Sequence, residues 1–183
     1  QGHRLAAGST VVTGPKSQAI LRFDDGQIMV LNEQTEFRVA EYSFIKDQPG
    51  KDRFSFELLR GAMRSITALI TQRTPKAYQV KTAQATIGIR GTDYMVAVVN
   101  PTYVSTLVGT IDVTNSAGTS TFTAGQTGFV ANPSALASPL APGTLPGPVS
   151  TAFSSLASVP VAPPGAAGAT GAAAGGVSPA AIA

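Results

Sequence analysis

The sequence contains no cysteine, no tryptophan and one histidine, His3. Without cysteine the chain can form no disulfide, offers no thiolate to a metal and has no thiol nucleophile. His3 lies beside the amino terminus and reads as an exposed terminal residue, not as the base of a Ser-His-Asp arrangement. No glycine-rich phosphate loop and no histidine pair at helical spacing occurs. Asp24-Asp25-Gly26 lacks the regular acidic spacing of a calcium loop and reads as a turn. Asn32, Glu33 and Glu36 read as a solvated turn. The residues therefore point to no catalytic set, no metal and no cofactor, and the chain is expected not to be an enzyme.

Charge is also scarce. Charged residues make up 13% of the chain, against about 25% in ordinary globular domains. Thirteen Lys and Arg face ten Asp and Glu, a net charge of +3. The basic residues alternate with acidic ones and form no cluster, so no nucleic-acid footprint is present. No charged side chain follows Asp112. No apolar run reaches the roughly 18 residues of a membrane helix, so no membrane span is expected in this chain. The chain opens at Gln1 instead of Met, as expected of a processed chain or a piece of a longer one.

What the sequence does contain is a succession of short β-type segments. Ser9–Thr13, Gln18–Phe23, Gln27–Leu31 and Thr35–Val39 are rich in Val, Ile, Leu and Phe and separated by turn residues. Leu21/Phe23, Ile28/Val30 and Phe37/Val39 repeat at the period of two of a half-buried strand. Asp25-Gly26 is a hairpin signal, because glycine accepts the positive φ that the turn needs. Arg53–Leu58 alternates again. Glu57–Ile70 has helical spacing, but Gly61, Ile66, Thr67 and Ile70 favour strand, turn, strand. Ala77–Thr82, Ala85–Arg90, Asp93–Val99, Tyr103–Val108, Thr110–Thr114, Thr119–Thr123 and Thr127–Val130 continue the pattern. Strands recurring every 8–12 residues indicate an all-β sandwich, barrel or short solenoid. The expected core is Leu21, Phe23, Ile28, Val30, Phe37, Val39, Phe56, Leu58, Val80, Ile87, Ile89, Val96, Val98, Leu107 and Ile111.

Composition changes near residue 133. The segment from there to the end holds nine of the 13 prolines, and Gly165–Gly176 is a Gly/Ala run. Two parts are expected: an all-β domain over 1–132 and an uncharged low-complexity tail over 133–183. Val149–Val161 is expected to be an extended segment that docks as a strand.

One motif stands apart: Gly88-Ile89-Arg90-Gly91-Thr92-Asp93-Tyr94. Glycine within a strand marks a bulge or a close backbone approach, and a planar guanidinium can tie together carbonyls or a carboxylate there. Arg90, Gly91, Thr92 and Asp93 are the candidate structural or partner-binding residues. Arg90 reads first as an internal clamp and second as an anchor for a partner's carboxylate or backbone.

The order of these segments resembles the FecR-type domain. Thr13-Gly14-Pro15, Ser17 and Ala19–Gly26 resemble its opening, and Thr35–Val39 its next strand. Leu58–Ala62 resembles its "L..G" segment. Tyr78–Thr82 leading into Ile89–Tyr94 resembles its core, with Thr82-Ala83 where Thr-Pro is usual. Gly109–Val113 and Gly125-Gln126 match its closing positions. The resemblance implies an all-β fold, short β-solenoid or sandwich-like, expected to lack its first hairpin. It implies a non-catalytic protein–protein interaction or structural module outside the cytoplasm, periplasmic or extracellular in the bacterial envelope. The alternative is the sensor portion of a transmembrane regulator that relays a signal to a sigma factor. The anti-sigma and secretin/TonB short domains of such regulators are not seen in the sequence. The expected partner is a protein or a second copy, as a homo-oligomer or a fibre built by strand addition.

Overall fold

The computed structural model describes residues 3–68 and 73–161, and the backbone of 177–182. The Gly/Ala run Gly165–Gly176 lies outside the described residues. Thirteen strands form one sheet. They are β1 (Arg4–Leu5), β2 (Thr10–Val12), β3 (Gln18–Arg22), β4 (Ile28–Leu31), β5 (Glu36–Ser43), β6 (Arg53–Ile66), β7 (Tyr78–Lys81), β8 (Thr86–Val98), β9 (Thr102–Asn115), β10 (Gly118–Thr123), β11 (Thr127–Val130), β12 (Ser138–Leu140) and β13 (Val177–Ile182). Among the described residues an α-helix, α1, spans Gly147–Ala157. The all-β expectation holds.

Three long strands organise the sheet, and each changes partners partway along. In β6, residues from Arg53 to Arg60 pair with β5, whereas Gly61–Ile66 pair with β8. β8 pairs with β7 near Ile87 and with β6 from Asp93 onward. β9 pairs with β11 over Thr102–Ser105 and with β10 over Thr110–Asn115. At or next to each change stands a glycine of positive φ: Gly61, Gly91 and Gly109. Bulges and bends of this kind let one strand serve two layers. The sheet consequently folds over itself, and Leu21, Leu31, Phe37, Phe56, Ile87, Val96 and Ile111 from both halves meet in one core. Of Glu57–Ile70, expected as strand, turn, strand, residues 57–66 are continuous strand bent at Gly61, and 69–70 lie outside the described residues.

Alternation assigns the faces. Met29, Leu31 and Met63 point into the main core, and their neighbours Val30 and Ala62 point to the opposite face. There α1 covers Val30, Ala62, Met95 and Ala97 with Val149, Phe153, Leu156 and the following Val159. The middle of the sheet is therefore buried on both sides.

Two expectations are corrected. The Val149–Val161 segment is mostly helix and not a strand. Val149, Phe153 and Leu156 are spaced i, i+4, i+7, which is one helical stripe. Pro148 sits in the first turn, where its missing N–H costs nothing. Leu107 is 37% exposed and outside the core. Counting back by twos from Ile111 places it inside, but the register of β9 slips between Val108 and Thr106, which face Asp93 and Tyr94 in turn. The other expected core residues are buried.

The bends generate a test. A Cβ on Gly61 would collide with the backbone and side chain of Thr35, whereas one on Gly88 would find only ordinary contact. Gly61→Ala is expected to lose about 2–4 kcal/mol in urea unfolding, through positive φ and steric overlap. Gly88→Ala should stay within about 0.5 kcal/mol of the parent. Equal losses would show that Gly61 is not a required bend.

Candidate interaction site

The four residues of the Arg90–Asp93 motif do not form one site. Arg90 extends to solvent with its side chain 72% exposed and donates to Asp112 Oδ2 on β9 at 3.1 Å. Asp112 Oδ1 also accepts from the Thr121 hydroxyl at 2.7 Å. Arg90 is thus one half of a cross-strand surface pair, and the internal clamp expected of it is corrected: its side chain points to solvent from β8 and pairs with Asp112 there. Gly91 and Gly109 approach so closely that a Cβ on Gly109 would strike the Gly91 carbonyl. Thr92 is buried. Its N–H donates to Thr67 Oγ1 at 2.9 Å, and its carbonyl accepts from Thr67 N–H and Oγ1.

Asp93 turns the other way. Arg64 on β6 donates to it bidentately, Nε to Oδ1 at 2.9 Å and NH2 to Oδ2 at 2.7 Å. Both side chains are largely buried, at 13% and 17% exposure. The remaining nitrogen, NH1, reaches the carbonyls of Leu156 and Ala157 at 3.3 and 3.4 Å. These carbonyls end α1, where the helix dipole favours a cation. The hydrogen bond to Asp93 raises the pKa of Arg64 above its ordinary value. The clamp sought in Arg90 therefore exists in Arg64. Its signal was weak: Arg64 and Asp93 become neighbours only through the β6–β8 pairing, 29 residues apart.

A second clamp closes the opposite end of β6. Asp52 is fully buried. Arg73 donates to both its oxygens at 2.9 Å, and Thr74 Oγ1 donates to Oδ2 at 3.0 Å. Arg73 also donates to the carbonyls of Ile45 and Lys46 and lies 4.5 Å over the Phe44 ring. Burial alone would push the Asp52 carboxyl up, but the hydrogen bonds from Arg73, Thr74 and the Ile45 N–H outweigh it and hold the pKa low. Beside this pair Pro49, Arg53, Pro75 and Lys76 border an open cleft of about 460 Å³.

Inside the core, Gln27, Ser65, Tyr78 and Tyr94 form a hydrogen-bonded cluster. The two phenol oxygens lie 2.8 Å apart, and Gln27 Nε2 donates to Ser65 Oγ and to Tyr78. Burial pushes the Tyr78 phenol up to about 12 and raises the Tyr94 phenol well above its ordinary value. Both stay protonated at neutral pH and act as fixed polar struts.

The same fold occurs in two crystal structures of a candidate anti-sigma factor from Parabacteroides distasonis. Both are 17% identical to this chain over 72% of its length, with TM-scores of 0.59 and 0.57. The aligned region spans 59% of those chains. No curated protein sequence matches at a significant level. The family model described as FecR protein matches residues 9–112, more than half of the chain, and the chain belongs to the FecR family. The matched stretch contains all three bends and both clamps.

The two arginines should separate in mutagenesis. Arg90→Ala is expected to change unfolding free energy by about 0–1 kcal/mol, as for exposed ion pairs. Arg64→Ala strands Asp93 in a largely dry position and should cost about 2–3 kcal/mol. It should also speed amide exchange in α1. Equal effects in urea unfolding would refute this assignment.

The Asp52 clamp has a pH signature. Its folded pKa lies below the unfolded value of about 3.9, so its stabilisation is complete above that value. The contribution is lost as pH falls through the folded pKa. The melting temperature of the parent should exceed that of Asp52→Asn at pH 6, and the two should converge towards pH 2. A constant gap would count against the clamp.

Proposed function

We propose that this chain is a non-catalytic protein–protein interaction module of FecR type, working in the periplasm or at the outer side of the bacterial envelope. The family match over 9–112 is the observation that carries this reading. The distribution of charge agrees with it. Arg64, Asp93, Arg73 and Asp52, the most enclosed of the paired ions, are consumed by each other and by backbone carbonyls. They stiffen a scaffold and leave no poised acid, base or nucleophile among them. What such a sheet offers a partner is backbone edge and surface side chains, which is the chemistry of strand addition and surface docking.

A second reading is favoured by the likeness to the candidate anti-sigma factor. In it, the chain is the sensor portion of a FecR-like regulator that relays a signal to a sigma factor.

In vivo photo-crosslinking tests the first reading. A photoreactive residue at exposed surface positions such as Leu107 or Val108, in the full-length natural protein, should trap a protein of defined mass in the envelope fraction. Absence of any adduct from a scan of exposed sheet positions would remove it. For the second reading, in-frame deletion of the family-matched stretch should alter one sigma-dependent set of transcripts, and an unchanged RNA profile would discard it.

A further inference from the structure

The last strand of the chain is inserted at a distant place in the sheet. β13 lies between β1 and β3 and runs parallel to both. Val177 faces Gln18 and Ala181 faces Arg22 along β3, while Arg4 and Leu5 face Ala181 and Ile182. On its other side β3 pairs with β4. Without β13, the edge of β3 from Gln18 to Arg22 would stand open and β1 would lose its place in the sheet. An open edge is a row of unpaired N–H and C=O groups that templates pairing with another chain.

Three features make the occupant of that edge exchangeable. β13 follows α1 only after a connection that includes the fifteen residues 162–176, a contour of up to roughly 50 Å. The strand carries Pro179 at its third position, facing Ile20, and proline has no N–H to give to a ladder. Its hold is therefore weaker than that of an uninterrupted strand. Finally, no charged residue lies anywhere from 113 to 183, so no charge on this segment keeps copies apart.

We propose that the β3 edge accepts Val177–Ile182 from a second copy of this chain, in the register it takes from its own. Reciprocal exchange makes the same ladder twice across two molecules, the usual low-cost route of swapping. One-way exchange leaves a vacant β3 edge at one end and a free strand at the other, and so extends. The tethered strand competes at an effective concentration on the order of millimolar, so exchange should grow with protein concentration. The inference concerns self-recognition and does not depend on the partner protein proposed above. It replaces the donor expected from sequence, Val149–Val161, which is mostly helix, with a segment nearer the end of the chain.

The absence of cysteine makes the test direct. Two full-length single-cysteine chains, Arg22→Cys and Ala181→Cys, one carrying a mass tag, are mixed and mildly oxidised. These positions are register partners. A mixed disulfide should form about tenfold faster than between Ala181→Cys and a Ser150→Cys chain, whose cysteine would lie on the exposed face of α1. It should rise with concentration and fall several-fold when excess cysteine-free chain is added. A chain carrying both cysteines should close on itself in dilute solution. If that chain closes internally at every concentration while the mixed chains do no better than the control, β13 serves only its own molecule and the proposal fails. If the double variant closes neither internally nor between copies, the β3–β13 pairing fails and the proposal with it.

Discussion

The contact between Gly61 and Thr35 is the constraint on which the sheet depends. Thr35 Oγ1 sits against the missing Cβ of Gly61. It donates to the Ala62 carbonyl and accepts from the Ala62 N–H, both at 3.1 Å. The Thr35 N–H in turn donates to Thr13 Oγ1 at 2.8 Å, which ties in the turn before β3. This small polar knot satisfies backbone groups that a bent strand would leave unpaired. It allows β6 to leave β5 and join β8 and β4. A side chain at position 61 would push the two layers apart where they share a strand.

Once β6 is bent, the middle of the sheet needs cover on both faces. The inner face is covered by the sheet itself. The outer face of β4, β6 and β8 is apolar at Val30, Ala62, Met95 and Ala97, and α1 supplies the cover. The helix carries no charge of its own and lacks a side-chain cap at its start. Its electrostatic anchor is borrowed: Arg64 reaches its final carbonyls while remaining paired to Asp93. Gln18 adds a hydrogen bond to Ser155 at 2.9 Å. The uncharged second half of the chain is thus held to the charged first half by burial and by borrowed donors.

The likeness to the Parabacteroides structures persists at 17% identity. Such persistence is intelligible if the fold rests on bends, alternation and a few backbone-binding side chains. Cores tolerate exchange among hydrophobic residues of similar volume. A glycine at positive φ packed against backbone has no such substitute. A scaffold defined in this way leaves its surfaces and edges free to diverge between relatives.

Alternation in Leu21/Phe23, Phe37/Val39 and Phe56/Leu58, with the Asp25-Gly26 turn, was enough to read the strands and most of the core, because side-chain direction in a strand is a local, period-two property. The ordered FecR-like segments were legible for the same reason, as each is a short run with its own turn chemistry. Leu107 escaped that logic because a bulge shifts the period, and the shift depends on which strand lies opposite. Val149, Phe153 and Leu156 were read as part of an extended apolar strand, and the helical stripe they form has its purpose only in the apolar sheet face they cover. Arg64 and Arg90 look alike in sequence, each in a β-type segment with an acidic partner far along the chain. Only the register of β6 on β8 decided that Arg64 would meet Asp93 and the end of α1 in a dry corner, while Arg90 met Asp112 in water. Local backbone preference belongs to the sequence, whereas burial and charge pairing belong to the tertiary structure, because both depend on residues that are distant along the chain and adjacent only after folding.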